Sequence, residues 1–217
     1  MTNENHQRVL KLLVGLLFIL TFYFVNVRQY AFGFLIYIIM GGLSIIFYLF
    51  WGRISKITDL EGIGKNWIRN SFIGLGLAFT TIFLGFIVPG IGAIGTPLLS
   101  QSIGQILGVT GIFMVVVVSA SVFESVYIVD ALTDFFNNFL GLNKIISVIL
   151  MALIGSAFHF FAYQQNLQSA GGSFLSAFVM FALFGAWAEY QNDLSGVITW
   201  HGGINWWLEF GKKIFVV

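Results

Sequence analysis

The 217-residue sequence contains no cysteine. That absence excludes a disulfide framework, thiolate metal sites and a cysteine nucleophile together. Charge is nearly as scarce, with Asp, Glu, Lys and Arg making up 9% of the chain and a formal net charge of +1. A nucleic-acid surface needs clustered Lys and Arg and has no material here. There is no internal repeat, heptad pattern or low-complexity tail, and no room for an extramembrane domain. What remains is 58% hydrophobic, with a mean hydropathy of +0.92. Apolar runs long enough for a ~30 Å hydrocarbon core, which needs ~20 residues each, recur along the whole chain. The composition therefore predicts an all-α, polytopic integral membrane protein. Any metal or acid–base chemistry falls to His, Asp, Glu and Asn, and the chain has only three His and nine acidic residues.

Hydropathy predicts about seven crossings. The first spans Leu12 to Asn26, and MTNENHQRVLK has no small-residue cleavage site behind its apolar run, so this helix is expected to be a retained anchor. Tyr30 to Trp51 is the second crossing, and Gly52 to Asn70 is a polar, basic loop. Ser71 to Val88 is the third, ended by Pro89, after which GIGAIGTP reads as an interfacial or re-entrant linker. A fourth apolar helix runs from Ile103 to Val129 with Glu124 as its only acid; a kink is expected near Ser119 to Ser125. The amphipathic piece Asp130 to Leu140 leads to a turn at Gly141 to Asn143 and a fifth crossing, Ile145 to Tyr163. Phe174 to Tyr190 and Ser195 to Phe210 complete the set, with a polar turn at Glu189 to Asp193 between them and Trp200, Trp206 and Trp207 as interfacial anchors. Residues 1–102 thus form N-terminal transmembrane helices with a basic loop, and residues 103–217 form the part that carries a polar site, within one integral membrane domain.

That polar site is defined by four groups on otherwise apolar helices. His201 and Asn205 lie one turn apart on one helix face, separated by Gly202 and Gly203, which allow another backbone or a substrate to approach closely. Glu124 lies 17 residues before Gly141 and His159 lies 18 after it. At ~1.5 Å rise per residue both groups are ~25 Å from the turn, so antiparallel helices would bring carboxylate and imidazole level. Ionisable side chains inside a membrane segment are costly and mark a cavity or a relay. Two His and one Glu match a catalytic zinc shell with an open water position, and equally a metal-free glutamate–histidine pair that activates water.

The order of these motifs, and above all AWAEYQNDLSGVITWHGGIN, resembles the CPBP (CaaX protease and bacteriocin-processing, or Abi) family of membrane proteins. The family pattern is Glu-Glu-x-x-x-Arg, then Phe-x-x-x-His, then His-x-x-x-Asn. SVFESVYIV supplies Glu124 for the first motif, IGSAFHF supplies His159 for the second, and His201 with Asn205 supplies the third intact. The resemblance covers roughly Ile103 to Trp207. It departs from the pattern at the first motif, which has one glutamate and Ile128 or Val129 in place of the arginine, and at Gly155 in place of the phenylalanine.

The resemblance implies a CaaX-protease-like core and an intramembrane endopeptidase acting on a membrane-associated or lipidated peptide. Glu124 and His159 would activate water, and His201 and Asn205 would stabilise the oxyanion; zinc, if used, would sit on His159, His201 and Glu124. The alternative is a non-catalytic relative acting as a membrane scaffold, an immunity factor or a subunit of a membrane complex, which the reduced first motif favours. A transporter ranks third, because one eccentric cluster without a repeat lacks the inverted symmetry of such folds.

The basic residues set an orientation in the plasma membrane. Seven crossings place Arg8, Lys11, Arg53, Lys56, Lys65, Arg69 and Lys144 on one side, against Arg28, Lys212 and Lys213 on the other, so the N-terminus is expected in the cytoplasm. In a chain without native cysteine, Asn3→Cys and Ser55→Cys should resist an impermeant thiol reagent applied to intact cells, and Lys212→Cys should react. Modification of Ser55→Cys from outside would overturn the orientation.

Overall fold

The computed structural model describes residues 5–6, 8–13, 15–17, 39, 42–43, 46, 66–87, 113, 117–118, 120–163 and 167–211. The expected second crossing, the basic loop up to residue 65 and the linker after Pro89 lie largely or wholly outside them. Every regular element among the described residues is a helix.

Helix α1, Trp67–Ile87, is almost entirely apolar. Its two adjacent threonines return their hydroxyl protons to carbonyls one turn back, Thr80 to Gly76 at 2.9 Å and Thr81 to Leu77 at 2.8 Å. Polar atoms are thereby satisfied inside the helix, as an apolar surrounding requires. The helix begins four residues earlier than hydropathy placed it. The Asn70 N–H reaches the Asn66 carbonyl at 2.9 Å, closing a first turn whose polar side chains read as loop in the sequence.

A continuous helical segment, α2, follows as Ala120–Phe123, a π-helical stretch Glu124–Asp130, Ala131–Asp134 and a second π-helical stretch Phe135–Phe139. The regular α geometry is lost at Glu124, within the stretch where a kink was expected. Gly141, at φ 70°, takes the left-handed conformation that ends the segment. Asn143 then caps α3, Lys144–Tyr163, accepting the Ile146 N–H on its side chain at 2.9 Å.

Helix α4, Leu167–Gln191, starts seven residues before the expected crossing, since LQSAGGS continues the helix. Asn192 at φ 55° turns the chain into α5, Ser195–Trp206, which continues as a π-helical stretch Trp207–Gly211. The turn between α4 and α5 is therefore shorter than the polar stretch Glu189 to Asp193 suggested. Asp193 secures it, accepting the Ser195 N–H at 2.5 Å and the Asn70 side-chain amide at 2.9 Å.

Two helix pairs, α3 with α4 and α1 with α5, pack most extensively, and α2 lies against both. The α1–α5 crossing is set by missing side chains. A Cβ on Gly74 would fall 2.1 Å from the Gly196 carbonyl oxygen, and one on Gly203 would fall 2.6 Å from the Ala78 Cβ. The core joins Phe123, Tyr127, Ile128, Met151, Phe181, Phe184, Val197 and Trp200. Trp200 is a correction to the sequence reading. It is buried, with its indole N–H donating to Thr81 at 3.0 Å, and so is no interfacial anchor.

The N-terminal helical residues form an antiparallel seam with α2. Arg8 pairs with Asp134 at 3.5 Å, Lys11 with Asp130, and Gly15 lies against Tyr127. Asp130 and Asp134, the acids of the stretch expected to be amphipathic, are buried by this seam. Lys144 meets Glu189 at 2.7 Å across α3 and α4.

Two described stretches, Trp67–Leu84 and Phe174–Gln191, are long and apolar enough to cross a membrane by length and composition; Lys144–His159 is a shorter apolar stretch. Their outer faces carry bare apolar side chains, with Phe72 70%, Phe79 68% and Phe83 64% exposed on α1 and Ile145 74% exposed on α3.

The α1 glycines give an internally controlled prediction. Gly74→Ala drives a methyl into the α5 backbone and should lower stability by ~1–3 kcal/mol. Gly76→Ala, where a Cβ meets nothing within 4 Å, should be neutral or stabilising by up to ~1 kcal/mol. Thermal unfolding of both variants in the same micelle checks the difference.

Candidate functional site

Three helices place the four polar groups. Glu124 is the first residue of the π-helical stretch in α2, and a local change of helical pitch of this kind re-aims the side chain at its start. Its carboxylate is buried, and Oε2 lies 3.7 Å from His159 Nε2 on α3 and 3.5 Å from His201 Nε2 on α5. Asn205, one turn beyond His201, donates from Nδ2 to the Ser121 hydroxyl at 3.3 Å. Glu124, His201 and Asn205 are all nearly inaccessible, whereas the His159 side chain keeps 20% exposure and forms the open edge of the group.

The glycines around His201 admit their neighbours. Gly203 takes α1 at Ala78, and a Cβ on Gly202 would lie 3.3 Å from the Val117 carbonyl. The turn of α5 that carries the imidazole and carboxamide thus lies close to Ala78 on α1 and to the backbone of Val117.

One hydrogen bond fixes the chemistry of the open edge. His159 Nδ1 lies 2.9 Å from the Gly155 carbonyl, which can only accept, so Nδ1 carries the proton and donates it. In the neutral ring Nε2 is then the lone-pair nitrogen, 3.7 Å from the carboxylate of Glu124. A basic nitrogen and a basic oxygen at this separation can both accept from one bound proton donor, and the second imidazole approaches the same oxygen from α5. The arrangement can take a proton from a bound molecule and hold it near where it was removed.

Two imidazoles and a carboxylate are donors of the kind zinc accepts, and His159, bonded to a carbonyl at its far nitrogen, is oriented as metal-ligating histidines are. Among the described residues, no group of three or more His, Cys, Asp or Glu side chains is arranged as a metal shell. The 3.7 and 3.5 Å separations join each imidazole to Glu124.

Sequence reasoning missed Ser121, Phe181 and Phe184. Ser121 lies three residues before Glu124, on the same side of α2, and this spacing was its only signal. Phe181 lies 5.3 Å from the His159 ring and Phe184 lies 5.1 Å from the His201 ring, centroid to centroid.

Comparison with known proteins finds no matching family model, curated protein or solved structure.

Ser121 and Asn205 can be separated from the rest by a double-mutant cycle. Ser121→Ala removes the acceptor of a buried donor and should cost ~1–3 kcal/mol of stability. Combining it with Asn205→Ala should cost less than the sum of the two single changes by ~0.5 kcal/mol or more. Additive losses in chemical denaturation would show that the two side chains do not interact.

Proposed function

We propose that this chain is a polytopic helical membrane protein of CPBP, CaaX-protease-like architecture that acts as an intramembrane endopeptidase on a membrane-associated or lipidated peptide. One observation carries the reading: the buried carboxylate of Glu124 stands between the Nε2 atoms of two histidines on two other helices, at 3.7 and 3.5 Å. In this reading Glu124 takes a proton from a water molecule, with His159 Nε2 sharing or orienting it, and the resulting hydroxide adds to a peptide carbonyl carbon. His201 and Asn205 donate to the oxyanion, which preorganised donors stabilise strongly in a low dielectric. The proton held at Glu124 then passes to the leaving amine nitrogen as the C–N bond breaks. Should zinc bind, Glu124, His159 and His201 would hold it, and it would lower the pKa of a bound water.

Membrane placement is supported by composition and by the outward faces of the helices. Only 17% of the Trp67–Leu84 stretch and 33% of Phe174–Gln191 is buried, whereas the core helix of a soluble protein would be mostly covered. The orientation is supported by the pairing of charged and polar side chains. Arg8 and Lys11 with Asp134 and Asp130, Asn70 with Asp193, and Lys144 with Glu189 each join segments expected on the cytoplasmic side.

A second reading, a non-catalytic relative serving as a scaffold, immunity factor or complex subunit, is favoured by one feature. Ile128 and Val129, which stand where the family motif has arginine, are buried among apolar side chains, so no cation supports Glu124 from that position. The two readings part on a single assay: purified protein against membrane-anchored peptides, with and without chelator and added zinc. The peptidase reading expects cleavage that falls ~100-fold or more in Glu124→Gln with folding retained, and ~10²–10³-fold at most in Asn205→Ala. Equal cleavage by wild type and Glu124→Gln would sink it.

A further inference from the structure

Helix α4 gives the site no ionisable group, since Glu189 is engaged with Lys144, yet it touches both imidazoles. Phe181 and Phe184 are three residues apart, on one face of α4, and both are 2% exposed. Their rings meet edge to face at 6.2 Å and 90°. Phe181 meets His159 at 5.3 Å and 65°, and Phe184 meets His201 at 5.1 Å and 33°. A contiguous row of four rings therefore runs from one histidine to the other.

Both ends of the row are anchored. At the His159 end, a Cβ on residue 155 would lie 2.8 Å from Phe181 Cδ2 and 2.9 Å from Cε2, so only glycine leaves room for the ring. The same Gly155 supplies the carbonyl that accepts His159 Nδ1–H. Residue 155 thus orients the imidazole with its backbone and admits the ring that braces it with its missing side chain. At the other end, Phe184 meets Trp200 edge to face at 5.2 Å, and the Trp200 indole is tied to Thr81 on α1 at 3.0 Å. Aromatic rings attract one another with an angular preference set by their quadrupoles, and no aliphatic residue of similar volume reproduces that preference.

We propose that Phe181 and Phe184 are positioning residues, a two-ring brace on α4 that sets the orientation and spacing of His159 and His201 about Glu124, with Gly155 as the socket of the first ring. The brace rests on the peptidase reading only where turnover is measured; the orientation of the imidazoles can be read without any substrate.

The chain has three histidines, and His6, on the N-terminal helical segment, serves as an internal reference for nitrogen-15 NMR of histidine-labelled protein in micelles. Phe181→Leu should convert His159 from the single Nδ1–H form to a mixture of tautomers, leaving His201 and His6 in place. Phe184→Leu should move the His201 signals alone. Gly155→Ala, which attacks the socket from α3, should reproduce the Phe181→Leu pattern at His159. A histidine signal that stays put when its own phenylalanine is replaced would overturn the brace, and so would equal displacement of both histidines by either change, which signifies general repacking. Where wild type cleaves a membrane-anchored peptide, Phe181→Leu and Phe184→Leu should each lower kcat on the order of 10-fold or more with KM little changed. A wild type without cleavage removes the peptidase reading and leaves the NMR result to decide the brace.

Discussion

A carboxylate buried among aliphatic and aromatic side chains must find its compensation within reach of its own oxygens. Glu124 imposes that condition on this bundle. The polar groups that reach it come from α3 and α5, so the three helices have to meet at one level. The π-helical stretch beginning at Glu124 turns the carboxylate inward while the remainder of α2 keeps Tyr127, Ile128 and Val129 in the apolar core. The missing side chains at Gly74 and Gly203 let α5 lie close enough to α1 for His201 to stay within reach. Much of the packing can be understood as what brings two imidazoles to one oxygen.

Compensation is handled differently at the other charged positions. Asp130 and Asp134 sit farther along α2, and each is matched by a cation from the N-terminal segment, so that end of the helix is neutralised by pairing. At Glu124 the partners are imidazoles, whose ring nitrogens can each donate or accept a hydrogen bond according to where the proton sits. One helix thus carries two kinds of acid, those that stay paired with fixed cations and one whose neighbours can exchange protons with it. That contrast marks Glu124 as the chemically adaptable position.

The polar skeleton was legible because polar residues are rare here. In a chain with 9% charged residues, a lone Glu124 or His159 stands out, a glycine turn at 141 allows their levels to be counted, and the spacing of His201 and Asn205 needs only helical periodicity. The brace was not legible for the opposite reason. Phe181 and Phe184 are two of 25 phenylalanines, and nothing local distinguishes a ring that faces a histidine from one that faces outward. Trp200 misled by type, since tryptophan favours interfaces in general while this one is buried beside Thr81. The acids of α2 misled by pattern, because an amphipathic stretch looks the same whether its polar face meets water or a pair of cations more than a hundred residues away. The π-helical stretch has no sequence mark at all, since it reflects a choice of backbone hydrogen bonds made under tertiary packing.

The seam between the N-terminal residues and α2 also has a consequence in time. Lys11 and Asp130 are separated by 119 positions. A ribosome adding ~5–20 residues per second reaches the aspartate roughly 6–24 s after the lysine. Through that interval the cation lacks the partner it has in the folded chain and must stay hydrated. The Lys11–Asp130 pair can therefore form only once α2 has been made, and it ties an early stretch of the chain to a much later one.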